Sequence, residues 1–206
     1  MTKNEAIEKV LNLARDEIGY KEKITNSQLD DKTANAGGGN FTKYGRDLDN
    51  VTDFYNGKKN GFAWCDQFVD WLFYKSFGAA TAMKMLYQPT RSAGAGCLYS
   101  AQYYKAAGAW YTTPQPGDQI FFYSSGSINH TGIVEQVNAT QVITIEGNTA
   151  DQVARRTYAL ANSLIAGYGR PNWAAASSGS APSTPAASTT RILKQGMRGN
   201  DVKAMQ

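Results

Sequence analysis

Hydrophobic positions in this chain follow a helical period first and an alternating one later. Ile7, Val10, Leu11, Ala14 and Ile18 recur at three- and four-residue steps, the spacing that gathers side chains on one helix face. Asn4 is placed to cap that helix, Glu5 and Glu8 fall in its first turn, and Gly19 to end it. A second helix is predicted over Cys65 to Phe77, with the stripe Phe68, Val69, Leu72 and Phe73 and Gly78 as its stop. A third is expected from about Ser92 to Ala107, ended by Gly108. Between the first two, residues 24–61 are rich in Asn, Asp, Gly and Lys without a sustained period. They read as long loops with room for one short helix.

After the turn Pro114-Gln115-Pro116-Gly117-Asp118 the period drops to two. Strands are predicted at Gln119–Tyr123, Thr131–Val137, Val142–Glu146, Val153–Tyr158 and Ile165–Tyr168. Helices first and an antiparallel sheet afterwards give an α+β domain, with N-terminal helices packed on the sheet. Residues 1–173 are expected to form it, closed by Gly167-Tyr168-Gly169-Arg170-Pro171-Asn172-Trp173. Residues 174–190 are almost all Ala, Ser, Thr, Pro or Gly and read as a linker. Residues 191–206 start an amphipathic pattern too short for a core of its own.

Charge narrows the functional classes. The net charge is +4, yet residues 1–173 hold 17 Lys and Arg against 16 Asp and Glu, while residues 174–206 hold 4 against 1. The excess lies on the tail, so the folded part offers no basic patch and nucleic acid is not an expected partner. No run of about 18 apolar residues could insert in a membrane. The start Met1-Thr2-Lys3-Asn4-Glu5-Ala6 lacks the basic and apolar segments of a signal peptide. Synthesis in the cytoplasm is therefore expected.

The chain has two cysteines and one histidine. Without an export signal, reduced thiols are expected. Cys97, in the small-residue run Ser92-Ala93-Gly94-Ala95-Gly96-Cys97, reads as a buried and inert thiol. Cys65 sits where a loop becomes a helix, a position that favours thiolate. Any cysteine–imidazole chemistry must use His130, at the entrance of a strand. If the strands around Thr131–Val137 and Val142–Glu146 pair as a hairpin, Glu146 lies at the same end as His130 and is placed to orient its ring. Asn148 stands two residues further on, able to orient the ring instead or to polarise a carbonyl. Tyr44, Trp64 and Trp110 are candidates for a sugar- or peptide-binding groove, although aromatics of this kind more often pack in a core. A single histidine and no clustered thiols argue against zinc. Asp47, Asp49 and Asp53 lack the spacing of a calcium loop. No metal or other cofactor is expected. Gly37-Gly38-Gly39 has no following Gly-Lys-Ser/Thr and reads as a flexible loop rather than a phosphate cradle.

Four segments together resemble the CHAP domain, the cysteine, histidine-dependent amidohydrolase/peptidase family. They are Trp64-Cys65-Asp66-Gln67-Phe68-Val69, Pro114-Gln115-Pro116-Gly117-Asp118, His130-Thr131-Gly132-Ile133-Val134 and Ile145-Glu146-Gly147-Asn148-Thr149. Asn40-Phe41-Thr42-Lys43-Tyr44-Gly45, together with Val153, Arg156 and Tyr158, is similar to a subgroup from Gram-positive bacteria and their phages. The resemblance spans nearly all of residues 1–173. It implies a papain-like fold that cuts amide bonds in bacterial peptidoglycan. It also implies Cys65 as nucleophile, His130 as general base, Glu146 as the orienting residue and Asn148 as the polar residue completing the site. Many relatives have Ser where Asn129 stands, which marks Asn129 as a candidate substrate contact. The run Leu193-Lys194-Gln195-Gly196-Met197-Arg198-Gly199-Asn200-Asp201-Val202 resembles the first part of a helical peptidoglycan-binding domain.

The expected activity is hydrolysis of an amide in peptidoglycan, as an endopeptidase or as an N-acetylmuramoyl-L-alanine amidase. The missing signal and the tail suggest an endolysin, a monomer reaching the wall after holin-type release. The alternative from another class is a catalytically silent wall-binding or scaffold module.

Overall fold

The computed structural model describes residues 1–94 and 96–177. Five α-helices precede a six-stranded sheet: α1 Lys3–Glu17, α2 Lys43–Asp49, α3 Cys65–Phe77, α4 Ala79–Met85 and α5 Cys97–Ala106, then β1 Trp110–Tyr111, β2 Gln119–Ser124, β3 Ser127–Val137, β4 Gln141–Glu146, β5 Ala154–Ala159 and β6 Ile165–Gly169. A 3-10 turn, Trp173–Ser177, follows. The strand order is β1-β6-β2-β3-β4-β5, with every pair antiparallel. The chain is α+β, with the layering that the change of period implied.

α1 begins earlier than its apolar stripe suggested. Thr2, not Asn4, is the cap: its Oγ1 accepts the Glu5 N–H at 3.3 Å, and the Glu5 carboxylate accepts the Thr2 N–H at 2.7 Å. This reciprocal pair satisfies two donors that the helix start would otherwise leave open. α3 has the expected bounds and ends at Gly78, whose φ is +79°. α5 starts at Cys97, because Ser92 instead pairs with the loop at Tyr55 and donates its backbone N–H to the Phe54 carbonyl. α4 and the two-residue β1 are too short for a periodic signal.

The sheet separates two apolar clusters. Phe121, Ile133, Ile145 and Val153 join the main core with Val10 and Leu11 of α1 and Phe68, Val69, Leu72 and Phe73 of α3. Ile120, Phe122, Val134, Val142 and Tyr168 form a smaller cluster of alternate strand residues. The turn before β2 is fixed by Asp118, whose carboxylate accepts the Gln115 N–H at 2.8 Å and two donors from Arg170 at 2.9 and 3.0 Å. Residues 24–61 are held chiefly by polar bonds. Asp49 accepts the Lys59 and Asn60 N–H groups at 2.6 and 3.0 Å, and Thr42 caps α2. The glycine run is no loose loop either, since a Cβ on Gly39 would lie 2.4 Å from the carbonyls of Lys23 and Ile24.

At the other end, the boundary expected after Trp173 falls inside a packed element. Ala175 and Ala176 are buried, and Ser177 Oγ donates to the Met1 carbonyl at 2.9 Å. The remainder of the expected linker and the segment 191–206 lie outside the described residues.

Replacing Thr2 by Ala should cost about 1 kcal/mol and lower the melting temperature by roughly 2–4 °C. Asn4→Ala should stay within about 0.5 kcal/mol of the parent. Thermal melts of the two variants check the assignment, and an equal or larger loss at Asn4 would contradict it.

Candidate active site

α3 presents Cys65 as its first residue. Trp64 precedes it with φ −120° and ψ 12°, and no side chain caps the helix. The first-turn amides are thus directed at whatever occupies the N-terminus, and the Asp66 N–H donates to the Cys65 sulfur. Gln67 steadies the incoming loop, its Nε2 donating to the carbonyls of Ala63 and Lys59 at 3.0 and 3.2 Å. Trp64 is fully buried, with Nε1–H on the Glu22 carboxylate at 2.6 Å.

His130 reaches the same point from β3. Its Nε2 lies 2.8 Å from Glu146 Oε2, so the carboxylate accepts Nε2–H and leaves Nδ1 for the hydrogen bond to Cys65. The β3–β4 register explains the approach. Ile133 pairs with Ile145, which puts Glu146 beside Gly132. A Cβ on Gly132 would lie 2.5 Å from Glu146 Cγ and 2.9 Å from the Ile145 carbonyl. Only glycine lets the acidic side chain cross β3 to the imidazole.

Glu146 has no exposed surface. Besides His130 it accepts Thr144 Oγ1–H at 2.6 Å and the Tyr158 hydroxyl at 3.2 Å. Thr144 escaped the sequence reading, although its place two residues before Glu146 on one strand puts both on one face. Tyr158 was noted there only as part of a resemblance.

The two reactive groups move each other's protonation. Hydrogen bonds from Cys97 and His130 hold the Cys65 thiol below its ordinary range against the opposing effect of burial. For His130, burial disfavours the cation, but hydrogen bonds to Cys65 and Glu146 outweigh it and raise the imidazole to about 10. These shifts favour a thiolate–imidazolium pair with a carboxylate behind the ring. Chemically, such an arrangement can supply a nucleophile, a proton carrier and an orienting group.

Other expected site residues lie elsewhere. Asn148 is in the left-handed region at φ +54°, and its amide donates to Asn40 Oδ1 at 3.4 Å rather than meeting the imidazole. Gly147 before it presses on the nucleophile helix: a Cβ there would lie 2.6 Å from Phe68 Cβ and 2.8 Å from Trp64. Asn129 is exposed, next in sequence to the half-buried His130. Tyr44 and Trp64 do not line a groove. Both are fully buried, stacked together at 5.6 Å, with Tyr44 also against Phe68 and Trp71 and its hydroxyl on Glu17. Trp110 packs on Phe121. Asp47 is held by Arg46, Trp71 and Lys75, and Asp53 faces Arg91. Among the described residues no group of three or more His, Cys, Asp and Glu is placed to hold a metal.

Sequence reasoning also missed what surrounds Cys65. Cys97 Sγ lies 3.4 Å from Cys65 Sγ, and both are free thiols. Asp66 is buried beneath them, accepting Ser100 Oγ–H at 2.8 Å and Gln119 Nε2–H at 3.1 Å. Burial, followed by the neighbouring Cys65 charge, pushes its carboxyl up to about 7.

Comparison with known proteins bears on residues 57–148, which match the family model described as the CHAP domain. No curated protein matches the chain. Two solved structures of Ly7917 align with it. "The crystal structure of Ly7917" is 16% identical, with a TM-score of 0.48 over 81% of this chain and 62% of that one. "The crystal structure of Ly7917 with the hydrolyzing product of MDP" is 14% identical, with a TM-score of 0.42 over 80% and 62%. The chain thus spans 62% of the length of the solved protein.

Gly132→Ala should displace Glu146 and release the imidazole. The expected result is a loss of about 1–3 kcal/mol of stability from overpacking and at least an about tenfold drop in the rate of Cys65 alkylation near neutral pH. Alkylation at the parent rate would show that Glu146 does not govern the pair.

Asp66 gives a pH prediction. Its folded value, about 7, exceeds the ordinary 3.8. Its contribution to stability is therefore complete below about pH 4 and lost as pH rises through about 7. Asp66→Asn keeps partners for Ser100 and Gln119 and removes that titration. The melting temperature of the variant should gain on the parent between pH 4.5 and 7.5, and a constant gap would refute the buried acid.

Proposed function

We propose, from the premise that residues 57–148 are a CHAP domain, that this protein is a peptidoglycan hydrolase cutting an amide bond with the Cys65 thiol. The observation carrying the reading is the line Cys65–His130–Glu146, with Nε2 of His130 2.8 Å from Glu146 and Cys65 at the uncapped start of α3. In this mechanism the Cys65 thiolate attacks the carbonyl carbon. The Cys65 N–H and a neighbouring donor stabilise the oxyanion. His130 gives its proton to the departing amine, then acts as base for the water that hydrolyses the thioester. Glu146 keeps the ring in its working tautomer. Asn148 is proposed as the polar residue completing the site, and the exposed Asn129 as a substrate contact.

The enzyme works in this reading as a monomer, without metal or other cofactor. No helix among the described residues is long and apolar enough to cross a membrane. The biological role we assign is that of an endolysin, made in the cytoplasm and reaching the wall after holin-type release, with the part of residues 174–190 beyond the packed Trp173–Ser177 turn as linker and 191–206 as the beginning of a wall-binding module. Its bond lies within the stem peptide or cross-bridge, or between N-acetylmuramic acid and L-alanine.

The test is digestion of purified peptidoglycan from several Gram-positive species by the full chain, with mass spectrometry of the products. New amino termini from stem or bridge residues identify an endopeptidase, and intact peptides freed from muramic acid identify an amidase. Cys65→Ala should be inert, and His130→Ala should lose about a thousandfold or more, since no second histidine exists. Glu146→Gln should lose less, because the nucleophile remains. Undiminished digestion by Cys65→Ala would end the thiol mechanism.

A further inference from the structure

The mechanism above uses one thiol, yet the site holds two. Cys97 opens α5, is 5% exposed, and sets its sulfur 3.4 Å from that of Cys65. That separation suits a hydrogen bond between sulfurs, and the surroundings decide which one carries the proton. Cys65 faces the imidazole of His130 and the N–H of Asp66. Cys97 faces no cation, and its hydrogen bond to Cys65, burial and the neighbouring Cys65 and Asp66 charges keep its thiol well above the ordinary range. Cys97 is therefore the donor and Cys65 the acceptor.

We propose that Cys97 is a positioning residue for the Cys65 nucleophile, its S–H donating to the thiolate and holding that sulfur in line with His130. The inference rests on Cys65 being the nucleophile. No proton is transferred in this role. The Cys97 thiol stabilises the anion before attack, loses that partner while Cys65 is acylated, and stabilises it again as the thioester breaks and the thiolate leaves. His130 meets the sulfur from β3 and the Asp66 N–H meets it from its own helix. A further neutral donor, from α5, fixes the sulfur without adding a charge to a site that already contains Asp66 and Glu146.

The test is the pH dependence of iodoacetamide alkylation of Cys65 in the reduced full chain, located by peptide mass. The groups facing the sulfur are His130 from β3, with Glu146 of β4 behind it, Asp66 from α3 and Cys97 from α5. Cys97→Ala and the near-isosteric Cys97→Val should each move the midpoint upward by about one pH unit or more, the scale of a hydrogen bond to a charged group. Cys97→Ser, which keeps a shorter donor, should fall between them and the parent. A depressed parent midpoint that stays put in Cys97→Val overturns the role of Cys97 and leaves the nucleophile assignment standing. A parent midpoint near that of a free thiol, about 8.5, overturns both.

Discussion

A carboxylate with no exposed surface needs hydrogen bonds in place of water, or it costs several kcal/mol. Glu146 obtains them from three strands: His130 on β3, Thr144 on its own β4, and Tyr158 on β5. Much of the sheet follows from that requirement. A slip of one residue between β3 and β4 would turn Glu146 to the other face and leave its charge buried without donors. Gly132 is needed because the acidic side chain must cross β3 to reach the ring. Strand register and imidazole orientation are thus one constraint, and a mispaired sheet loses both.

The Cys65 side is ordered by different means. Residues 24–61 have no apolar period, so no face of them is pulled into a core as a unit. Single polar anchors do that work. Glu22 accepts both the Trp64 indole N–H and the Asn40 N–H, joining the early loop to the residue before Cys65. Tyr20 donates to the Leu29 carbonyl and accepts the Lys43 N–H. Behind these bonds, Tyr20, Tyr44, Trp64, Phe68 and Trp71 pack ring against ring. That cluster fixes the start of α3, so residues resembling a substrate platform in the sequence serve to aim the thiol.

What the sequence disclosed follows the same division. The β-type runs marked β2 to β6 to within a few residues because many buried strand residues are apolar. β5 alternates in burial, whereas β2, β3 and β4 bury consecutive residues, both faces of the sheet being covered. The stripe Phe68–Val69–Leu72–Phe73 with Gly78 located α3 for the analogous reason. The pairing of His130 with Glu146 was also legible, since a short hairpin brings strand ends together by its geometry. Contacts made by distant segments were not. Cys97 stands 32 positions from Cys65, and nothing in a run of small residues says which helix end it will meet. Asn148 shows how little a motif position says about direction. Read as able to orient the ring or polarise a carbonyl, it has a left-handed backbone and its amide donates to Asn40.

The site also has to balance its charge in a small, poorly hydrated volume. A Cys65 thiolate and the Glu146 carboxylate are two anions facing one cation, His130. An ionised Asp66, directly beneath the sulfur, would make three. Burial and the neighbouring Cys65 charge oppose this by raising Asp66 to about 7, and Asp70 one turn later is also raised, by burial and by Asp66 itself, while accepting the Tyr55 hydroxyl at 2.7 Å. The remaining demand for donors is met by neutral groups: Ser100 and Gln119 at Asp66, Thr144 and Tyr158 at Glu146, and, as proposed, the Cys97 thiol at Cys65. Neutral donors suit this position because they stabilise an anion without compensating it. A second cation near Cys65 would pair with the thiolate permanently and oppose its consumption on attack. A thiol or hydroxyl yields when the charge moves to the substrate and returns its hydrogen bond when the charge comes back.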